Sequence, residues 1–252
     1  AIGGDDTYRL APHLFDHDEL KNAVTKKPFL GFSDTTLNHF MLHKVGLPTF
    51  YGQAFLPDVC ELAPEMLPYT KRYFEEFLKT GTIREVHPSE LWYTSRTDFS
   101  PDALGTELPA HKNTGFELLQ GPAQFEGEIL GGCIDSMNEM FSGWRYGDMP
   151  EVCRNYGLFP AKDDWRGKIL LMESCEEYMP PETYKKALET LQETGVFDAV
   201  SGVLVGKPMD DMYHAEYKKL LVSIIANKEL PILCNINVGH AHPRQRDAWR
   251  GL

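Results

Sequence analysis

No two cysteines in this chain lie close enough in sequence to form a metal knuckle or a redox motif; the five fall at positions 60, 133, 153, 175 and 234. Zinc ribbons and dithiol redox sites use short C-x-x-C spacings, and an odd count fits a disulfide framework poorly. The expectation is a reduced, cytoplasmic protein whose thiols serve as small buried apolar groups. Also missing is any apolar run near the ~20 residues of a membrane span. No leader is recognisable, but the chain starts at Ala1 rather than Met, which leaves an upstream segment open. Basic residues are scarce, 25 Lys and Arg against 37 Asp and Glu, for a net charge of −12. That sign argues against nucleic-acid backbones and anionic membranes as partners, since both reward basic surfaces. What is present is ordinary for a folded chain: 252 residues, 42% apolar, 12% aromatic and 25% charged. This length suits one large domain or two small ones with a substantial core.

Hydrophobic patterning divides the chain into three parts: an N-terminal α/β lobe over 1–90, a linker over 91–120 and a C-terminal lobe over 121–252. Ala1-Ile2 followed by Gly3-Gly4-Asp5-Asp6 reads as the tail of a strand entering a tight turn. A strand needs more than two residues, so the lobe is expected to begin upstream. A polar helix is expected over 16–24, then a short buried strand at Phe29-Leu30-Gly31-Phe32. A helix over 35–44, a strand at Thr49-Phe50-Tyr51 and an amphipathic helix over 64–79 follow. Residues 80–120 and 143–162 show scattered aromatics without clear period and read as irregular. Strands at 168–172, 200–205 and 231–236 alternate with helices at 181–193 and 215–226. That βαβαβ order implies a parallel sheet with right-handed crossovers.

In open parallel sheets the ligand crevice lies beyond the carboxyl ends of the strands. Three polar residues stand at such ends: Ser33, Glu173 and His240. A hydroxyl, a carboxylate and an imidazole are the parts of an acyl-transfer triad. Gly31-Phe32-Ser33-Asp34-Thr35 resembles the strand-to-helix nucleophile elbow, with Thr35 in place of its second glycine. The competing reading makes Ser33 or Asp34 a plain helix N-cap. Glu176 and Glu177 compete with Glu173 for the acid, and His242 with His240 for the base. Position favours Glu173, directly after four apolar residues. His39 and His43 stand four apart on a helix, but Phe40 occupies the place where a zinc peptidase carries Glu, so both read as ordinary helix residues. The Gly3-Gly4-Asp5-Asp6 turn offers N–H groups for an oxyanion, although such turns are common for other reasons.

Taken in order, Ile2 to Asp6, Gly31 to Thr36, Phe50-Tyr51-Gly52, Gly127 to Gly132, Lys168 to Glu173, Val203 to Lys207 and Gly239 to Pro243 resemble the LD-carboxypeptidase family of serine peptidases. That family includes the microcin C immunity hydrolases. The resemblance implies an α/β fold of two lobes, flavodoxin-like at the N-terminus and here truncated, with βαβαβ order in the C-terminal lobe. It implies Ser33 as nucleophile, Glu173 as orienting acid and His240 as base. It further implies an oxyanion hole from Gly4 and Asp34, substrate contacts from Gly3, Tyr51 and Trp92, and homodimers. No metal or organic cofactor is implied. The substrate is a murein peptide losing a terminal D-amino acid, or in the immunity branch a peptidyl- or aminoacyl-nucleotide whose base stacks on loop aromatics; Trp92, Tyr93 and Phe99 leave the branches unseparated. Residues 244–252 do not resemble the family's continuation. An α/β-hydrolase and a non-catalytic binding protein on the same scaffold stand as rivals.

Overall fold

The computed structural model describes residues 3–17, 28–244 and 246–248. Ala1, Ile2 and most of the helix expected over 16–24 lie outside the described residues. The first sheet has the order β1-β2-β10. Its strands are β1 (Phe29–Gly31), β2 (Thr49–Gly52) and β10 (Arg246–Ala248). β1 and β2 are parallel and β10 joins β2 antiparallel, so residues 246–248 build a strand on the N-terminal sheet. Helix α1 (Thr36–Lys44) crosses from β1 to β2. His39 on this helix is fully buried, with Nδ1 on Thr49 Oγ1 at 2.6 Å and Nε2 on the Gly31 carbonyl at 3.1 Å. Burial holds its pKa down at about 3, so the ring stays a neutral tie between the two strands. Helix α2 (Pro68–Thr80) starts on proline and ends at Gly81 in the left-handed region, and is shorter at its start than the pattern suggested.

The second sheet has five strands in the order β5-β9-β8-β7-β6. These are β5 (Glu117–Gln120), β6 (Glu128–Cys133), β7 (Lys168–Glu173), β8 (Gly202–Gly206) and β9 (Ile232–Ile236). β6 to β9 run parallel and β5 lies antiparallel at the edge. The apolar run Ile169 to Met172 is buried along its whole length, as a strand covered on both faces must be. Helices α3 (Ile134–Ser142), α4 (Met149–Asn155), α5 (Pro181–Thr194) and α6 (His214–Ile224) complete this part of the chain. Tyr184 of α5 stacks on Tyr217 of α6 with ring centroids 3.9 Å apart. The chain is therefore α/β, with the βαβαβ order present as β7-α5-β8-α6-β9 and extended by β6.

The stretch expected as an irregular linker over 91–120 is more ordered than its sequence suggested. β3 (Leu91–Tyr93) and β4 (Ala110–Lys112) form a hairpin, and β5 belongs to the second sheet. These strands are only three or four residues long and largely uncovered, so no alternation of buried and exposed positions marks them. The two sheets meet through α1 and β6, where the Cys133 N–H donates to Thr36 Oγ1 at 2.9 Å.

Candidate active site

Ser33 follows β1 at a turn closed by its own neighbours. Thr35 Oγ1 donates to the Phe32 carbonyl and Thr36 Oγ1 to the Ser33 carbonyl, both at 2.7 Å. These two bonds wind the chain from strand into helix within three residues. Ser33 itself sits at φ +67°, a conformation non-glycine residues rarely hold without a reason. Its N–H donates to Tyr51 Oη at 3.1 Å, and Tyr51 Oη donates in turn to Glu173 Oε1 at 2.5 Å. The second oxygen of Glu173 accepts from His240 Nδ1 at 2.7 Å and from the His240 N–H at 3.2 Å. Phe32 packs its ring edge-on against His240 with centroids 4.9 Å apart.

Glu173 and His240 are thus a directly bonded, buried pair, and a single phenol links that pair to the Ser33 turn. Ser33 lines a cleft of about 270 Å³ together with Asp34, Cys133, Asp135, Arg145 and Glu176. Among the described residues the contact at His240 Nε2 is Glu176 Oε2 at 3.1 Å, not the Ser33 hydroxyl. Burial opposes charge on the His240 ring, but the Glu173 and Glu176 carboxylates outweigh it and push its pKa up to about 10. Hydrogen bonding to His240 holds Glu176 down at about 2. The two carboxylates that clamp the ring thus both favour its charged form.

Of the expected oxyanion donors, Asp34 follows Ser33 in the helical turn Ser33–Thr35, and its half-buried carboxyl is raised in pKa by desolvation despite bonds to Ser136 and Arg145. A Cβ added at Gly3 would lie 4.0 Å from the Asp34 carboxylate, whereas Gly4 is exposed. Tyr51 requires correction. It is 0% exposed, so it cannot touch substrate in this state; it ties the Ser33 turn to the Glu173 carboxylate from behind. Trp92 is half-buried on β3, stacked on His111 at 4.1 Å with the Lys207 ammonium 4.9 Å from its ring. It does not line the cleft, but its neighbour Tyr93 bonds through its N–H to the His242 carbonyl, two residues from His240. Phe99 is exposed.

Sequence reasoning missed Arg244. Its guanidinium donates to the His240 carbonyl at 2.9 Å, stacks over Phe32 and pairs with Asp58 at 3.3 Å, while Gln53 and Thr70 hold its own carbonyl. A basic residue just past the histidine pair was the available signal. A larger groove of about 370 Å³, walled by Met140, Pro150, Phe159 and Lys162, contains none of these residues. Among the described residues no helix is long and apolar enough to cross a membrane.

Comparison with known proteins places this geometry in context. A model of the LD-carboxypeptidase N-terminal domain matches residues 1–52, and one of the LD-carboxypeptidase C-terminal domain matches residues 126–246. A solved MccF-like protein from Streptococcus pneumoniae, in complex with AMP, is 57% identical with a TM-score of 0.96, over 99% of this chain and 72% of that one. The microcin C7 self-immunity protein MccF of Escherichia coli is 27% identical over 251 residues, 96% of this chain and 65% of that protein. The structure of microcin C7 self-immunity protein MccF in complex with aspartyl sulfamoyl adenosine shares the fold at a TM-score of 0.72 and 23% identity, over 98% of this chain and 69% of that one. Both domain models and a close solved relative agree: this chain belongs to the LD-carboxypeptidase family.

Proposed function

We propose that this chain is a serine hydrolase that cleaves the amide of aminoacyl- or peptidyl-nucleotides through an acyl-enzyme, with Ser33, His240 and Glu173 as its triad. The observation that carries the chemistry is the buried Glu173–His240 pair, tied through Tyr51 to a serine held at φ +67° on the cleft wall. Neutral His240 takes the Ser33 proton at Nε2 as Ser33 Oγ attacks the amide carbon. Glu173 fixes the tautomer with the proton on Nδ1 and stabilises the imidazolium that forms. N–H groups at the Gly3-Gly4 turn and Asp34 receive the oxyanion. The imidazolium then protonates the leaving nitrogen, and water releases the acid by the same proton path in reverse. Glu176 must leave Nε2 before the first step, because both carboxylate and serine need that nitrogen.

The nucleotide reading is supported by the 57%-identical relative in complex with AMP and by the relative in complex with aspartyl sulfamoyl adenosine. Trp92 on the hairpin beside the His240 loop suits a nucleobase, since a π-face stacks on any base. The family's carboxypeptidase members support a second reading, release of a terminal D-amino acid from a murein peptide. The deciding assay offers both an aminoacyl-sulfamoyl adenosine and a murein tetrapeptide and follows which is hydrolysed. A fluorophosphonate probe should label the protein covalently and fail to label Ser33→Ala. A folded protein that never labels would leave a binding protein as the reading.

A further inference from the structure

Adjacent parallel strands end at the same edge of a sheet, about 4.8 Å apart. β6 and β7 are such neighbours, with Cys133 registered opposite Glu173. Cys175, two residues past β7, therefore returns beside Cys133 although 42 positions separate them in sequence (175 minus 133). Asp135, in the first turn of α3, completes a group. Its Oδ2 accepts from the Cys175 N–H at 3.0 Å and from the Cys133 thiol at 3.5 Å. The two sulfurs and this oxygen all lie within 4.8 Å of one another, and all three residues line the cleft beside Ser33.

We propose that Cys133, Cys175 and Asp135 form a site for a thiophilic divalent cation, Zn²⁺, on the cleft wall, and that its occupancy blocks turnover. Tetrahedral zinc takes sulfur at about 2.3 Å and carboxylate oxygen at about 2.0–2.2 Å, which this group reaches by a small contraction. Two thiolates select zinc over magnesium or calcium. Each thiol gives up its proton on binding. The fourth position is left to the cleft, where Asp5, Asp34, Glu176 and Glu177 supply negative charge and Arg145 alone among the lining residues opposes it. Cys133 Sγ also lies within 4.8 Å of a ligand atom of both Glu173 and His240. A dication there works against the imidazolium that must form during attack. This inhibitory consequence rests on the Ser33–His240 reading; the binding does not.

The test uses the full chain in a Cys60→Ser background, because Cys60 is the exposed thiol. Co²⁺ should produce a thiolate-to-cobalt charge-transfer band that saturates at one equivalent and is displaced by Zn²⁺. The band should vanish in Cys133→Ser and Cys175→Ser. Asp135→Asn should bind at least about tenfold more weakly, the lower end of the loss seen even for changes outside the ligand sphere. Circular dichroism establishes that each variant is folded. Should a Cys→Ser variant unfold, alkylation of the parent decides instead: Zn²⁺ should protect Cys133 and Cys175 while leaving Cys153 and Cys234 unaffected. No band, a band that survives in both folded serine variants, or alkylation indifferent to Zn²⁺ overturns the site. Zn²⁺ should also slow fluorophosphonate labelling of Ser33 at least tenfold in the parent but not in Cys175→Ser. Binding without slowing overturns the inhibitory claim, whereas a protein that never labels but still binds Co²⁺ overturns the Ser33 reading and leaves the metal site standing.

Discussion

If Ser33, His240 and Glu173 act as proposed, replacing Glu176 by Gln should raise Ser33 reactivity at neutral pH by freeing the His240 ring. His240 is gripped at Nδ1 by Glu173 at 2.7 Å and at Nε2 by Glu176 at 3.1 Å, and its pKa stands at about 10. A protonated ring cannot accept the Ser33 proton, so kcat/KM should climb with pH along an alkaline limb. Glu173 is buried and stays in place in the variant. The Glu176 side chain is 62% exposed, so solvent screens it. Its contribution is then about 1 kcal/mol, at the upper end for an exposed pair. That amounts to a fall of roughly 0.7 pKa unit in the variant and a rate at pH 7 higher by about fivefold. Rates of fluorophosphonate labelling from pH 5 to 10 would measure the limb without assuming a substrate. Glu177→Gln is the control, because Glu177 pairs with Arg145 rather than with the imidazole, and it should leave the limb unmoved. An unshifted limb in Glu176→Gln, or a loss of rate at every pH, would refute the clamp. Stability carries the opposite sign. A histidine raised in the folded state stabilises fully below its ordinary pKa of about 6.5, and that stabilisation disappears as pH rises through about 10.

Two further outcomes follow from the turn and its phenol. Ser33 at φ +67° carries left-handed strain of about 1–2 kcal/mol, which glycine would relieve against a chain-entropy cost of about 0.4–1 kcal/mol. Ser33→Gly should therefore melt about 2–4 °C above the equally inactive Ser33→Ala; equal melting temperatures in calorimetry would mean the turn is unstrained. Tyr51→Phe leaves a buried Glu173 oxygen and the Ser33 N–H without the phenol, a loss of about 1–3 kcal/mol in stability. Because Tyr51 is buried, kcat should fall about tenfold or more with KM nearly constant, and a change confined to KM would return Tyr51 to the substrate-binding role first expected of it.

Ser33 and Glu173 stood out in the sequence because each directly follows a short run rich in apolar residues, whereas His240 comes after Asn237-Val238-Gly239, beyond the end of its strand at Ile236. Glu173 was separable from Glu176 on the same ground, and the structure places the first at 1% exposure while the second faces the cleft. Tyr51 was misread since an aromatic before a glycine looks alike in sequence whether it faces a ligand or a carboxylate. The hairpin of β3 and β4 was invisible because its exposed positions follow no period. The proximity of Cys133 and Cys175 depends on which strands are neighbours, and spacing alone cannot report that.

The glycine-rich segments that carried the resemblance have a steric cause in the acid itself. A Cβ on Gly239 would lie 2.2 Å from Glu173 Oε2, and φ there is +85°, so only glycine admits the carboxylate beneath the His240 loop. A Cβ on Gly132 would lie 2.6 Å from the Tyr51 ring. Burying a carboxylate is costly unless every oxygen is bonded, and bonding both oxygens of Glu173 requires His240 and Tyr51 to approach from opposite sides. Those approaches consume the space a side chain at either glycine would need. The family's signature is in this sense the outline of one buried acid and its two partners, left in the backbone around them.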